Sequence, residues 1–230
     1  MGRSRGFTLV ELLIALFVMA LLAVLSWRGL DGMVRAQEQT QVRADEVLTL
    51  QVGLQQWAAD LDALTELPNT TALDWNGRVL RMTRRSTASA TDGVLVVGWA
   101  RRVVAGKSMW LRWQSPALRT RVELDTAWAQ ADVWSQNPGE EQMSREVAIV
   151  PMDDWQIYFF RENAWTNPQS SDAATAMSPA AMAQPPGTPP SVAATLPDGV
   201  RLVLTLPAGQ AISGTLTRDW VRPTVSGGKS

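Results

Sequence analysis

MGRSRGFTLVELLIALFVMALLAVL, residues 1–25, sets a short leader with Arg3 and Arg5 against an apolar run that begins abruptly at Phe7, after Gly6. Crossing a bilayer core in helical form takes roughly 20 apolar residues, and Phe7 to Trp27 is that long. One carboxylate, Glu11, interrupts the run. Placing an acid near the middle of a bilayer costs roughly 2.5–3.5 kcal/mol even on a lenient insertion scale, so Glu11 needs a partner. The membrane stretch of the chain supplies no cation. The free N-terminal amine of a neighbouring copy would serve, if the chain were cut between Gly6 and Phe7. The other reading is a carboxyl that stays protonated and neutral in the membrane. A cleavable secretory signal fits less well, because its small-residue cleavage site follows the apolar run, whereas Gly6 precedes this one. The basic leader, with no matching basic cluster straight after the span, orients the N-terminus to the cytoplasm and the bulk of the chain outward.

The residues GFTLVELLIAL, 6–16, resemble the class III signal of the type IV pilin superfamily. The resemblance implies a leader peptide of residues 1–6, removed by a prepilin peptidase between Gly6 and Phe7, and N-methylation of Phe7. It also implies an assembly role for Glu11, in fifth place counting Phe7 as the first. On this reading residues 7–27 are the transmembrane segment and residues 28–67 continue the helix outside the membrane.

The helix expectation stands on the residues as well. No proline occurs between Phe7 and Pro68. Val47, Leu50, Leu54, Trp57, Leu61 and Leu64 recur at gaps of three and four, drawing one apolar face. Gly29 and Gly32 weaken the helix by up to about 1 kcal/mol each relative to Ala and mark a place for a bend. Beyond Pro68 the pattern turns to short alternating runs. Strands are expected at 78–84, 93–100, 109–114, 119–125, 148–150, 155–160, 199–206 and 215–221. Residues 68–222 therefore form a β-rich domain, interrupted by a Pro- and Ala-rich loop at 166–195 and followed by a tail at 223–230. The predicted fold class is α+β. It is a pilin-like fold in which a long N-terminal helix, membrane-spanning in its first half, packs on an antiparallel domain of two small sheets.

Composition excludes much chemistry. The 230 residues include no His and no Cys, and the net charge is −1. Ser–His–Asp and Cys–His catalysis, thiolate metal sites and disulfides are thereby removed, and no charge excess favours nucleic acid. Arg84–Arg85 and Arg101–Arg102 read as decoration of strand edges. Asp60/Asp62, Glu140–Glu141 and Asp153–Asp154 lack the spacing of a calcium loop and read as solvated surface. Of the eleven Trp residues, Trp99, Trp110, Trp113, Trp155 and Trp165 fall in or beside strands and read as packing. Trp27 reads as an interfacial anchor, and Trp128 and Trp134 as candidates for a protein interface. No enzyme activity, catalytic residue, metal or cofactor is expected.

Segment order narrows the resemblance. WRGLDGMVRAQEQTQ (27–41), LQQWAADLDALTEL (54–67), WLRWQSPALRTRVELD (110–125), DDWQIYFFRENAW (153–165) and LPDGVRLVLTL (196–206) are similar to the minor pseudopilin J family of type II secretion systems. That resemblance implies a tip complex with I- and K-type minor pseudopilins, initiating assembly of the major pseudopilin for protein export. The implied location is the bacterial inner membrane, single-pass, with the bulk of the chain periplasmic. The alternatives are a type IV pilus minor pilin of the W type and, from another class, a membrane-anchored periplasmic glycan-binding protein.

Overall fold

The computed structural model describes residues 7–86, 93–169 and 196–223. The leader (1–6), nearly all of the Pro/Ala loop and the tail beyond residue 223 lie outside the described residues, as does the expectation attached to each. Two units divide the chain, Met1–Asp45 and Glu46–Ser230.

In the first unit every described residue beyond Thr8 is helical and exposed. It belongs to helix α1 (Leu9–Asp62), which is long and apolar enough at its start to cross a membrane. The helix runs unbroken through Gly29 and Gly32. Trp27 is 75 % exposed.

Among the described residues the second unit holds the end of α1 and nine strands in two antiparallel sheets. The first sheet runs in sequence order: β1 (Leu73–Trp75), β2 (Val79–Arg85), β3 (Val94–Val104), β4 (Lys107–Gln114) and β5 (Glu146–Pro151). The second has the order β7-β6-β8-β9, from β6 (Asp154–Arg161), β7 (Ala164–Thr166), β8 (Gly199–Leu206) and β9 (Gly214–Val221). Helices α2 (Arg121–Gln136) and α3 (Glu140–Met143) fill the connection from β4 to β5. The α+β class and the two-sheet arrangement are those expected from the sequence.

Alternation along the strands of the first sheet divides its side chains between two cores. On one face Leu80, Met82, Val97, Trp99 and Trp110 join Leu50, Trp57 and Leu61 of α1 and the inner face of the second sheet. On the other face Val79, Val96, Ala100, Leu111 and Trp113 meet Leu124, Ala127, Ala131 and Trp134 of α2. Two glycines allow the close approaches. A Cβ on Gly53 of α1 would stand 2.3 Å from Ile149 Cγ2 on β5. A Cβ on Gly98 would stand 3.1 Å from the Trp134 ring.

Two expectations fail, each for a local reason. Residues 119–125 are not a strand: Thr120 caps α2, and its hydroxyl accepts from the Glu123 backbone N–H. The Glu123 carboxylate in turn accepts from the Arg119 and Thr120 N–H groups, at 2.7 and 2.9 Å. These bonds hold Glu123 below the usual carboxylate range, the Arg119 bond contributing most. The T-x-x-E signal of a capping box thus outweighs a short alternation, and Val122, expected inward, is 75 % exposed. The apolar residues that matter recur at 124, 127, 131 and 134, a helical period. Helix α1 also ends at Asp62 rather than at residue 67. The backbone there joins β2 instead, with Thr65 N–H donating to Thr83 O and Arg85 N–H to Ala63 O, both at 3.0 Å.

Replacing Gly53 by Leu drives a large side chain into Ile149 and Trp110. The expected cost is about 1–3 kcal/mol of stability, the usual range for overpacking. Urea unfolding of the full chain in detergent micelles measures it, and an unchanged midpoint would refute the close approach.

Candidate functional site at the head of helix α1 and the Asp60 anchor

Of the three residues singled out for processing and assembly, Gly6 lies outside the described residues, while Phe7 and Glu11 are described and exposed. Glu11 sits in the first turn of α1. Its Oε2 accepts from the backbone N–H and from the hydroxyl of Thr8, both at 2.9 Å. The Glu11 N–H donates back to Thr8 Oγ1 at 3.3 Å. Thr8-x-x-Glu11 is therefore a capping box, a signal visible in the sequence and overlooked beside the membrane argument. It adds a third state to the two weighed for Glu11. Besides a protonated acid or an ion pair with another chain, the carboxylate can satisfy the orphan donors of its own helix. No other partner of Glu11 is present among the described residues.

A second carboxylate departs from its expected place on the surface. Asp60, expected on the surface, is 0 % exposed on the inner face of α1. Its two oxygens accept from five donors. Arg112 Nε reaches Oδ2 at 2.7 Å and Arg112 Nη2 reaches Oδ1 at 2.9 Å. Trp99 Nε1 donates to Oδ2 and Gln56 Nε2 to Oδ1, each at 2.9 Å, and Arg84 Nη1 also donates to Oδ1. Arg84, Trp99 and Arg112 come from β2, β3 and β4, three neighbouring strands of one sheet. Arg84 is thus buried and structural rather than an edge decoration. Asp62 is exposed, as expected, and accepts from Trp220 Nε1 of β9 at 2.7 Å. Glu140, Glu141, Asp153 and Asp154 are exposed, as expected.

Two further readings change. Trp134 is fully buried, stacked at 6.2 Å on Trp113, with its N–H on Glu146 Oε2 at 2.6 Å. Trp128 is half-buried beneath the Arg81 guanidinium and donates to Thr83 Oγ1. Both serve α2 packing, and the Trp134 ring is closed off from the surface. Arg102 is half-buried and holds both oxygens of Glu146, at 2.6 and 2.8 Å. All eleven tryptophans are described, and Trp27 is the one classed as exposed. A stacking platform of exposed rings, as glycan binding would use, is not formed.

Residues 1–27 match the family model described as the prokaryotic N-terminal methylation motif, so the chain carries that motif. No curated protein matches the chain. Among solved structures the chain is similar to one from the crystal structure of the GspK-GspI-GspJ complex of the enterotoxigenic Escherichia coli type 2 secretion system. The identity is 16 %, covering 78 % of this chain and 99 % of that one, at a TM-score of 0.44. A likeness at that level does not bear on function.

Removing one partner of a buried ion pair typically costs about 3–5 kcal/mol. Asp60→Ala, which leaves Arg84 and Arg112 facing a void, is expected to destabilise the full chain by that order. The measurement is thermal unfolding followed by circular dichroism in detergent. A shift of only a degree or two would show that the anchor contributes little.

Proposed function

We propose that this chain is a minor pseudopilin of a type II secretion system, of the J type. In this reading it is a structural subunit of the pseudopilus tip complex, which initiates fibre assembly for protein export. One observation carries the reading: the methylation motif of residues 1–27, in which a basic leader, Gly6, Phe7 and Glu11 fall at fixed offsets. Prepilin peptidase cuts between Gly6 and Phe7 and methylates the Phe7 amine. Residues 7–27 stay in the bacterial inner membrane, with the N-terminus cytoplasmic and the bulk of the chain periplasmic. Glu11 then exchanges its Thr8 donors for a cationic N-terminus during assembly. The exchange sets a full positive charge against the carboxylate in place of two neutral donors, and lipid removes the water that would screen the pair, so the exchange is favourable.

The J-type choice is supported by segment order, from LQQWAADLDALTEL to LPDGVRLVLTL. The partners are then the I- and K-type minor pseudopilins and the major pseudopilin. The protein supplies binding energy and shape rather than catalysis, and no metal or cofactor enters its role. The second reading, a minor pilin of a type IV pilus, rests on the same N-terminal motif. Neighbouring genes separate the two.

Two substitutions test the reading. Glu11→Leu is expected to leave the protein in the membrane while co-purification with I- and K-type subunits falls by about tenfold, the factor that 1.4 kcal/mol represents. Wild-type recovery of both partners would count against the assembly role. For Gly6→Ala, intact-mass measurement is expected to find the leader still attached. A mature mass equal to that of the unaltered protein would refute cleavage at this bond.

A further inference from the structure

Helix α2 is apolar on two sides. Its core side sets Leu124, Ala127, Ala131 and Trp134 against the first sheet. Val122, Thr126, Ala129 and Val133 recur at gaps of four, three and four, and at about 3.6 residues per turn they share the opposite side. All four are exposed, Val122 at 75 % and Val133 at 51 %. The Thr126 hydroxyl donates to Val122 O at 2.8 Å, which leaves the methyl group as the free end of that side chain. A surface helix needs one apolar stripe for its core and ordinarily turns polar residues to water. The second stripe of α2 has no such use within the chain.

Carboxylates frame this stripe, with Glu123 on one flank and Asp125 and Asp132 on the other. From Thr120 to Ser144 five carboxylates (Glu123, Asp125, Asp132, Glu140 and Glu141) stand against one cation, Arg121, which pairs with Asp125 at 3.1 Å. Of the other four, Glu123 takes the cap N–H groups, and Asp132 takes the side-chain amides of Asn76 and Gln136 at 2.6 and 3.1 Å. Glu140 and Glu141 form no ion pair among the described residues. Arg119 and Arg145, just outside the segment, offset two of these four charges, and the surplus is negative. Beside the stripe lies a mainly apolar cavity of about 250 Å³, lined by Val122, Thr126, Ala127, Trp113 and Leu118, with Glu141 of α3 also in its wall.

We infer that the outer side of α2 docks an amphipathic helix of another protein, apolar along one side and bordered by Lys or Arg. Alternating gaps of four and three are those of a seam between two helices, and the small residues Thr126 and Ala129 at its centre let the two backbones approach. One apolar side chain of the incoming helix enters the cavity beside Val122, and its cations meet the framing carboxylates. Charge also argues against a second copy of this chain, because two α2 helices packed stripe to stripe would bring acidic flanks together. This surface and the packed end of α1 lie on opposite faces of the first sheet. The inference goes beyond the assembly reading and uses none of its residues.

The probe is a fluorescein-labelled peptide of three Leu-Lys-Ala-Leu-Lys-Lys-Ala repeats, and its comparison has Glu in place of every Lys. Each is titrated with the full chain in uncharged detergent micelles and followed by fluorescence anisotropy, with protein-free micelles as the blank. The Lys peptide is expected to bind saturably above the blank, and the Glu peptide about tenfold more weakly or less. Val133→Asp, which sets a charge in the stripe, is expected to abolish binding, and Glu141→Lys to weaken the Lys peptide severalfold. Both residues are exposed, and circular dichroism checks that the variants fold. Equal binding of the two peptides, unaltered affinity in Val133→Asp, or no saturation up to about 1 mM would overturn the inference. So would self-association of the chain that Val133→Asp removes, since the occupant would then be a second copy. Glu11→Leu is expected to leave peptide binding unchanged, so the two proposals fail separately.

Discussion

One buried carboxylate ties the last turns of α1 to the first sheet. Asp60 gathers donors from three consecutive strands and from its own helix, so the helix can take up few other positions on that sheet. Hydrophobic burial alone is non-directional. The Leu50, Trp57 and Leu61 stripe would tolerate sliding or rotation, whereas five hydrogen bonds to two oxygens would not. Gly53 completes the constraint by letting the helix approach β5 at Ile149. In a chain with no cysteine, this polar clamp within an apolar core fixes a packing that burial alone would leave loose.

The first sheet is covered on both faces, and this explains the use of tryptophan. Trp99 and Trp110 lie against one another at 4.5 Å on the α1 side, and Trp113 stacks on Trp134 on the α2 side. Each face needs wide, flat side chains to fill the gap between a helix and a twisted sheet. Gly98 in β3 is the necessary complement, for a side chain there would press on the Trp134 ring.

Much of this was legible in the sequence. The three-and-four spacing from Val47 to Leu64 located the packed face of α1. The longer alternating runs gave β2, β3, β4, β6, β8 and β9, because period-two burial leaves a clear trace. What escaped were elements too short to carry a period, such as β1 and β7, and signals in which a few residues outweigh many. Thr120 and Glu123 redirect a stretch that alternates like a strand into a helix. Asp60 looked like surface because an acid on a polar-rich helix usually is. Its burial depends on Arg84 and Arg112, and their convergence exists only after the sheet has formed. At the head of α1 the motif was evident, yet its Thr8–Glu11 box was hidden behind a more conspicuous question about lipid.

On the assembly reading, that box alters how a subunit would wait before it is used. A naked anion in a bilayer would seek any available counter-charge and cluster indiscriminately. Glu11 instead accepts from the N–H and hydroxyl of Thr8, so on that reading a solitary copy can diffuse in a quiescent form. On the assembly reading, recruitment becomes a swap of one set of donors for another, and only the difference between them favours the newcomer. Small differences keep such a step reversible, which lets a growing end reject an ill-fitting neighbour before further contacts lock it in place.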